Sequence, residues 1–223
     1  MITDNLIINT SNLVVHQLNN YWPSNEKVEL YDYVKQALHD MDVNYSAAVN
    51  KRLYNDEGIV FNPCFSITWM IFLYRLSHRL FVDGKQEYAD RVYYLNKIMH
   101  SNDWYHAIEL PEHFLAEHPL GTVLGRAQYG DYFFVYQGCT VGGNRKNGKL
   151  NYPKIGKNVI MYANSTILGD CNIGNNVVIS ANSYLINEEV PDNCIVFGSS
   201  PNIVIKKRNE EEIKKMTDHI WKR

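Results

Sequence analysis

From Ile155 the chain reads in sixes: Ile155 to Ile160, Met161 to Thr166, Ile167 to Asn172, and three more blocks opening at Ile173, Ile179 and Leu185. Every block opens on an aliphatic residue or methionine. The fifth position runs Val159, Ser165, Cys171, Val177, Ser183 and then Glu189, so it stays small or β-branched until the run ends. Six hexads in one register constrain the fold more than any other feature, because a short fixed period is the mark of a coil that stacks on itself. Sandwich strands would alternate with period two between irregularly spaced turns.

The hexads predict a left-handed parallel β-helix, a triangular prism with three short flat strands per turn. The opener of each block points into the prism, and the small fifth residue packs beside it near a corner. Asn158, Asn164, Asn176 and Asn182 hold the fourth position, where the turn needs the left-handed backbone that asparagine and glycine tolerate. Ile155 is then expected to stack on Ile173, Met161 on Ile179 and Ile167 on Leu185. Upstream, Val123, Tyr129, Val135 and Val141 continue the spacing of six. Val141 to Ile155 spans 14, or six plus eight, so an eight-residue insertion lies within Asn144 to Pro153. It is polar, carries Arg145, Lys146 and Lys149, and is expected to leave the prism as a loop.

Ahead of the prism the period is helical, from Ser24 to Asn102. Tyr31, Val34 and Leu38 share one face; Ile67, Ile71, Tyr74 and His78 share another, on a helix ended by Asp83-Gly84. Gln86 to His100 forms a further helix with a stripe of Tyr88, Val92, Leu95 and Met99. The resulting class is α+β: an N-terminal helical domain over 1–106, the β-helix over 107–205 and a C-terminal helix over 206–223. That last helix, from Asn209 to Trp221, is rich in Glu and Lys and is expected to be an exposed arm or a cap of the prism.

The 223 residues carry a formal net charge of −2, which does not suggest a nucleic-acid binder. Cys64, Cys139, Cys171 and Cys194 lie far apart with no CxxC pair, which argues against a metal knuckle or a disulfide framework and fits a reducing cytoplasm. The start, Met1-Ile2-Thr3-Asp4-Asn5, does not read as a signal peptide. The apolar run from Cys64 to Leu73 falls short of the ~20 residues a bilayer span needs, so no membrane association is expected.

The run His118-Pro119-Leu120-Gly121-Thr122-Val123-Leu124-Gly125 resembles the His-Ala-Thr-Gly-Ile-Val-Val-Gly motif of bacterial serine acetyltransferases. Gln137-Gly138-Cys139-Thr140-Val141-Gly142-Gly143 is similar to that family's Gln-Gly-Val-Thr-Leu-Gly-Gly, with the gap between the two motifs one residue different. Val190-Pro191 and Gly198-Ser199-Ser200-Pro201-Asn202-Ile203-Val204 resemble its closing segments, and Tyr74-Arg75-Leu76-Ser77-His78 resembles its Tyr-Arg-Ile-Gly-His. The likeness covers roughly residues 56 to 205. It implies transfer of an acetyl group from acetyl-CoA to L-serine, a step of cysteine biosynthesis, by trimers with active sites between subunits. The helical half implies pairing of two trimers.

The resemblance selects His118 as general base, a role suited to an imidazole with an ordinary pKa near 6.5. His113, five residues earlier, is not selected by the motif. A carboxylate would orient the ring; Glu109 is the first candidate and Glu117 the second. A backbone N–H at Gly142 or Gly143 would meet the oxyanion. Ala163 and Ala181 are small enough for the CoA arm to approach, and Arg145, Lys146 and Lys206 are candidates for its phosphates. Asp56 is the counterpart of an acceptor-binding aspartate. Tyr152 stands where the family has a histidine that holds the acceptor. No metal is implied. The family's C-terminal tail docks on a sulfhydrylase through a terminal isoleucine; this chain ends Trp221-Lys222-Arg223, so that docking is not implied.

Tyr152 keeps a second reading open, an acetyltransferase acting on a sugar or nucleotide-sugar of surface polysaccharide, because a tyrosine ring offers a sugar a stacking surface. A third reading is a non-catalytic β-helix scaffold, which His118, the two-glycine turn and the loop argue against.

Overall fold

The computed structural model describes residues 2–23 and 29–222; the expected opening of the helical pattern at Ser24 and the terminal Arg223 lie outside them. The helical part holds α1 (Asp4–Tyr21), α2 (Tyr31–Ser46), α3 (Ser66–Val82) and α4 (Gln86–His100). α1 precedes the pattern read from sequence. Thr3 caps it, its hydroxyl accepting from the Leu6 N–H, and it buries Ile7, Val14 and Leu18.

α3 buries an unbroken run from Thr68 to Ser77, not one face only, because it lies between other elements. Its Tyr74 to His78 segment binds the start of the prism through backbone groups. The Tyr74 hydroxyl donates to the Ile108 carbonyl at 2.8 Å and accepts from the Leu110 N–H at 2.9 Å. Arg75 donates to the carbonyls of Leu110, Pro111 and Glu112, and His78 Nδ1 lies 2.7 Å from the His106 carbonyl. Burial pushes the Tyr74 phenol up to about 12. On α4 the buried stripe is Ala89, Val92, Leu95, Asn96 and His100, while Met99 is exposed. The expected stripe is therefore rotated at its C-terminal end.

The prism has three parallel faces. Face one stacks Asp103–Trp104, Val123–Leu124, Thr140–Gly142, Thr166–Leu168 and Tyr184–Ile186. Face two stacks Gln128–Tyr129, Lys154–Ile155, Asn172–Ile173 and Glu189–Val190. Face three stacks Phe114–Ala116, Phe133–Val135, Val159–Met161, Val177–Ile179 and Cys194–Phe197, and Val204–Lys207 closes it antiparallel. The first strand thus begins at Asp103, upstream of residue 107.

The predicted stacking is observed: Ile155 pairs with Ile173, Met161 with Ile179 and Ile167 with Leu185. Asn158, Asn164, Asn176 and Asn182 have φ of 56°, 58°, 55° and 59°. Their amides form ladders up the corners, Asn158 donating to Asn176 at 2.8 Å and Asn176 to Asn193 at 2.9 Å. Gly156 is required for a different reason: a Cβ there would stand 2.6 Å from the backbone of Gly174 in the next coil.

Three expectations change. Leu124, not Val123, stacks under Val141 and is fully buried, whereas Val123 is 40% exposed. Leu124 and Tyr129 are five apart rather than six, so that corner is one residue short. The insertion is an antiparallel hairpin, Asn144–Lys146 paired with Lys149–Asn151, not an irregular loop. Asn147-Gly148, both at positive φ, make its turn, the dipeptide that suits a two-residue hairpin.

The C-terminal segment is neither an exposed arm nor an end cap. α5 (Glu210–Thr217) starts with a capping box between Asn209 and Glu212 and lays Ile213 on Val178 and Ile195. The chain then returns to the turn after α2. Val49 N–H donates to the Ile220 carbonyl at 2.9 Å, and Lys222 N–H to the Ala47 carbonyl at 2.7 Å. The physical reason lies in the outward side chains of face three. Leu115, Phe134, Ile160, Val178 and Ile195 are all apolar and buried, and covering each contributes about 1.5–3 kcal/mol.

Candidate functional site

Each coil turns from face three to face one through a corner. In later coils Tyr136 to Cys139, Tyr162 to Ser165 and Ser180 to Ser183 fill it, four residues each. The first coil fills it with Glu117 to Thr122, six residues. His118 lies in this longer corner, at a φ of 48° that non-glycine residues seldom adopt. Its side chain is 79% exposed, with Nε2 3.9 Å from Glu117 Oε1, longer than a hydrogen bond.

His118 lines a groove of about 220 Å³. The groove has an apolar floor that includes Leu53, Phe65, Ile67, Phe134 and Ile220, and a polar rim of Asn50, Arg52, Glu117, His118 and His219. Three parts of the chain build it: the turn after α2 with the start of α3, the first strand of face three, and the returning C-terminal segment. Sequence reading missed Arg52 and His219. The apolar sixth positions Ile160 and Val178 of every third hexad were the available signal, since an apolar outer face demands a cover.

Among the described residues, Glu117 is the one carboxylate that lines this groove. Glu109 instead lines two other clefts, one with Asp40, Arg75 and Arg79, the other beside the hairpin. Asp103 lies on the strand beside Val123. It accepts from the Tyr93 hydroxyl and binds Lys97 Nζ, each at 2.6 Å. His113 holds Asp131 through Nδ1 at 2.9 Å and stacks on Tyr132, a contact that ties two coils together. Asp56 is exposed at the tip of the Tyr54–Ile59 hairpin, in a separate cleft with Tyr54 and Lys222.

Ala163 and Ala181 belong to the same corner as His118. The Asn164 N–H donates to the Gln137 carbonyl and the Asn182 N–H to the Ala163 carbonyl, so Leu120, Gln137, Ala163 and Ala181 mark successive coils. At the usual strand spacing this edge is about 14 Å long. Lys206 is exposed on the closing strand of face three, its Nζ 5.2 Å from the Phe197 ring.

Gly142, Gly143, Arg145, Lys146 and Tyr152 gather at the opposite edge of face one. The Tyr152 ring lies against Gly143, where a Cβ would meet its Cε1 at 2.8 Å. It also lines a cleft of about 590 Å³ with Arg126, Gln128, Lys149 and Lys154. Within one chain, then, His118 and the hairpin flank face one from its two sides. Arg145 and Lys146 are exposed on the hairpin.

Among the described residues no helix is long and apolar enough to cross a membrane. The three buried cysteines, Cys139, Cys171 and Cys194, have thiols raised by burial, which makes them poor nucleophiles.

Comparison with known proteins agrees with this architecture. The bacterial transferase hexapeptide family model (six repeats) matches residues 152–187. The serine acetyltransferase of Staphylococcus epidermidis is 30% identical over 145 residues, covering 65% of this chain and 67% of the relative. A probable serine acetyltransferase of Oryza sativa is 30% identical over 184 residues, 78% of this chain and 51% of the relative. For that protein and the Synechocystis enzyme, of which 45% is covered, the chain spans about half the relative's length. Among solved structures, Neisseria gonorrhoeae serine acetyltransferase in complex with serine superimposes with a TM-score of 0.66 at 27% identity, over 84% of this chain and 80% of that one. A serine acetyltransferase in complex with CoA shares the fold, with a TM-score of 0.62 at 19% identity, over 79% and 75%. On the hexad prism, the helical part and these likenesses together, the chain belongs to the serine acetyltransferase family of hexapeptide-repeat transferases.

Proposed function

We propose that this protein transfers an acetyl group from acetyl-CoA to the hydroxyl of L-serine, giving O-acetylserine and CoA. The observation that carries the reading is the two-residue enlargement of one prism corner, which sets His118 out over a groove. There the imidazole takes the hydroxyl proton as the oxygen attacks the thioester, then passes it to the departing thiolate. The low edge at Ala163 and Ala181 is the path for the CoA arm. Arg145 and Lys146 on the hairpin and Lys206 on face three are the cations for its phosphates. Glu117 orients His118 once the acceptor is bound; Glu109 faces other clefts in this chain.

We further propose a trimer built on face one. The outward side chains of face two are Gln128, Lys154, Asn172 and Glu189, all exposed and polar, and face three is covered by the C-terminal segment. Face one carries Val123 and Tyr184 exposed and Leu168 and Ile186 half-buried, an apolar surface of the kind that marks an interface. Packing there in a ring would bring His118 of one subunit to the hairpin and Tyr152 of the next. Sedimentation at micromolar concentration is expected to give three chains, or six if trimers pair. A monomer that is fully active would overturn the shared site.

The acceptor is tested by following CoA release with L-serine, L-homoserine and a panel of sugars and nucleotide-sugars. Release with L-serine and none with sugars supports the proposal. The reverse supports the second reading, which rests on the Tyr152 ring lining an open polar cleft.

A further inference from the structure

The groove beside His118 has an unbalanced rim. Arg52, His118 and His219 face one carboxylate, Glu117, and Glu117 is already near His118. The ion pairs of arginine and lysine among the described residues are Arg79–Asp40, Arg91–Glu87, Lys97–Asp103 and Lys215–Glu211, and Arg52 joins none of them. Its backbone is nevertheless fixed. Asn50 Oδ1 accepts from the Arg52 N–H at 3.0 Å, and the neighbouring Leu53 is buried. His219 is fixed in the same way between buried Thr217 and buried Ile220 and Trp221. Asp56, the acidic residue the family likeness offers to an ammonium group, opens on another cleft. Tyr152 carries no cation with which to hold a carboxylate.

We infer that Arg52, with His219 of the C-terminal segment, is the carboxylate-recognising side of the acceptor groove, so that an acceptor needs an anionic group as well as the hydroxyl presented to His118. The inference rests on the proposed acetyl transfer and names what selects its acceptor. Arg52 matches a carboxylate through its planar fork of N–H donors. His219 adds a second donor on the same rim, from the C-terminal segment that pairs with the turn after α2. The apolar floor keeps water from competing for both.

The test compares L-serine with L-serinamide, which keeps the hydroxyl and the amine but lacks the carboxylate. It uses the full chain, with CoA release and, separately, calorimetric binding. A charge-assisted contact of ordinary strength corresponds to about 10- to 100-fold in affinity. Wild type is expected to prefer L-serine by that factor in KM and in Kd. Arg52→Gln is expected to remove most of the preference by weakening L-serine alone, with kcat within about threefold of wild type. Arg52→Lys should keep part of it, and His219→Gln should lose a smaller part. Equal weakening of both acceptors by Arg52→Gln, or no change in either, overturns the inference, as does a wild type that binds the two alike. Failure of the underlying reading looks different: L-serine binds with the stated preference and no CoA is released.

Discussion

His118→Ala is expected to lower turnover by roughly 10²- to 10⁴-fold, the usual contribution of a general base, which is about 3–5 kcal/mol of transition-state stabilisation. The loss should fall on kcat, with acetyl-CoA affinity close to wild type, because the edge proposed for CoA, at Ala163 and Ala181, lies on other coils of the same corner. The side chain is 79% exposed and packs against little, so the variant should unfold at the same denaturant concentration as wild type. That separates a chemical role from a structural one. Unchanged turnover would remove His118 from the reaction. Glu117→Gln should cost much less than His118→Ala, since an orienting partner acts only through the ring it positions.

Trp221→Ala is expected to destabilise the protein by about 3–5 kcal/mol, the range for truncating a buried large aromatic residue. Trp221 is 1% exposed, sits edge-on to Tyr132 at 5.4 Å, and bridges to Ala48 after α2. Tyr132 holds a φ of 61°, a costly conformation for a bulky residue, between His113 on one side and Trp221 on the other. Removing the indole therefore strips support from a strained corner as well as leaving a cavity. Trp221→Phe should cost markedly less than alanine, because it keeps an aromatic ring against Tyr132 and leaves a smaller cavity, while the Nε1 donor that it gives up has no partner among the described residues. Urea unfolding of the three proteins reads this order directly. Equal losses for phenylalanine and alanine would mean that the indole contributes chiefly through something other than packing. In the alanine variant KM for the acceptor should rise too, since Ile220 and His219 form one wall of the groove.

The prism was legible in the chain because its interactions are local in period. Each hexad needs only an inward aliphatic residue, a small neighbour and an asparagine or glycine at a left-handed turn, and those recur from coil to coil whatever surrounds them. The same locality explains the register error at Val123. One missing residue between Leu124 and Tyr129 changes which side chain points inward, and a period of six does not reveal it. The hairpin is legible in Asn147-Gly148, a dipeptide suited to a two-residue turn, whereas the polarity of the segment says only that it leaves the prism. The rotated stripe on α4 and the fully buried α3 depended on which neighbours they met, and neither is written in their own periodicity.

The site divides along the same line. The residue sequence around His118 marked it out, and the enlarged corner is a count of residues that sequence contains. The groove depends on tertiary structure alone. Arg52 and His219 are separated by most of the chain, and they line one groove only because face three has an apolar outer surface that the C-terminal segment must cover. Glu109 is near His118 in sequence but opens on different clefts, because the irregular stretch before the first strand of face three is held to α3 by Tyr74 and Arg75. By itself the sequence determined the coil, its turns and the corner that carries His118, since these follow from repeated short-range packing and backbone preference. The tertiary structure decided which walls face that histidine, because the burial of distant apolar surface is satisfied only once the chain has folded back on itself.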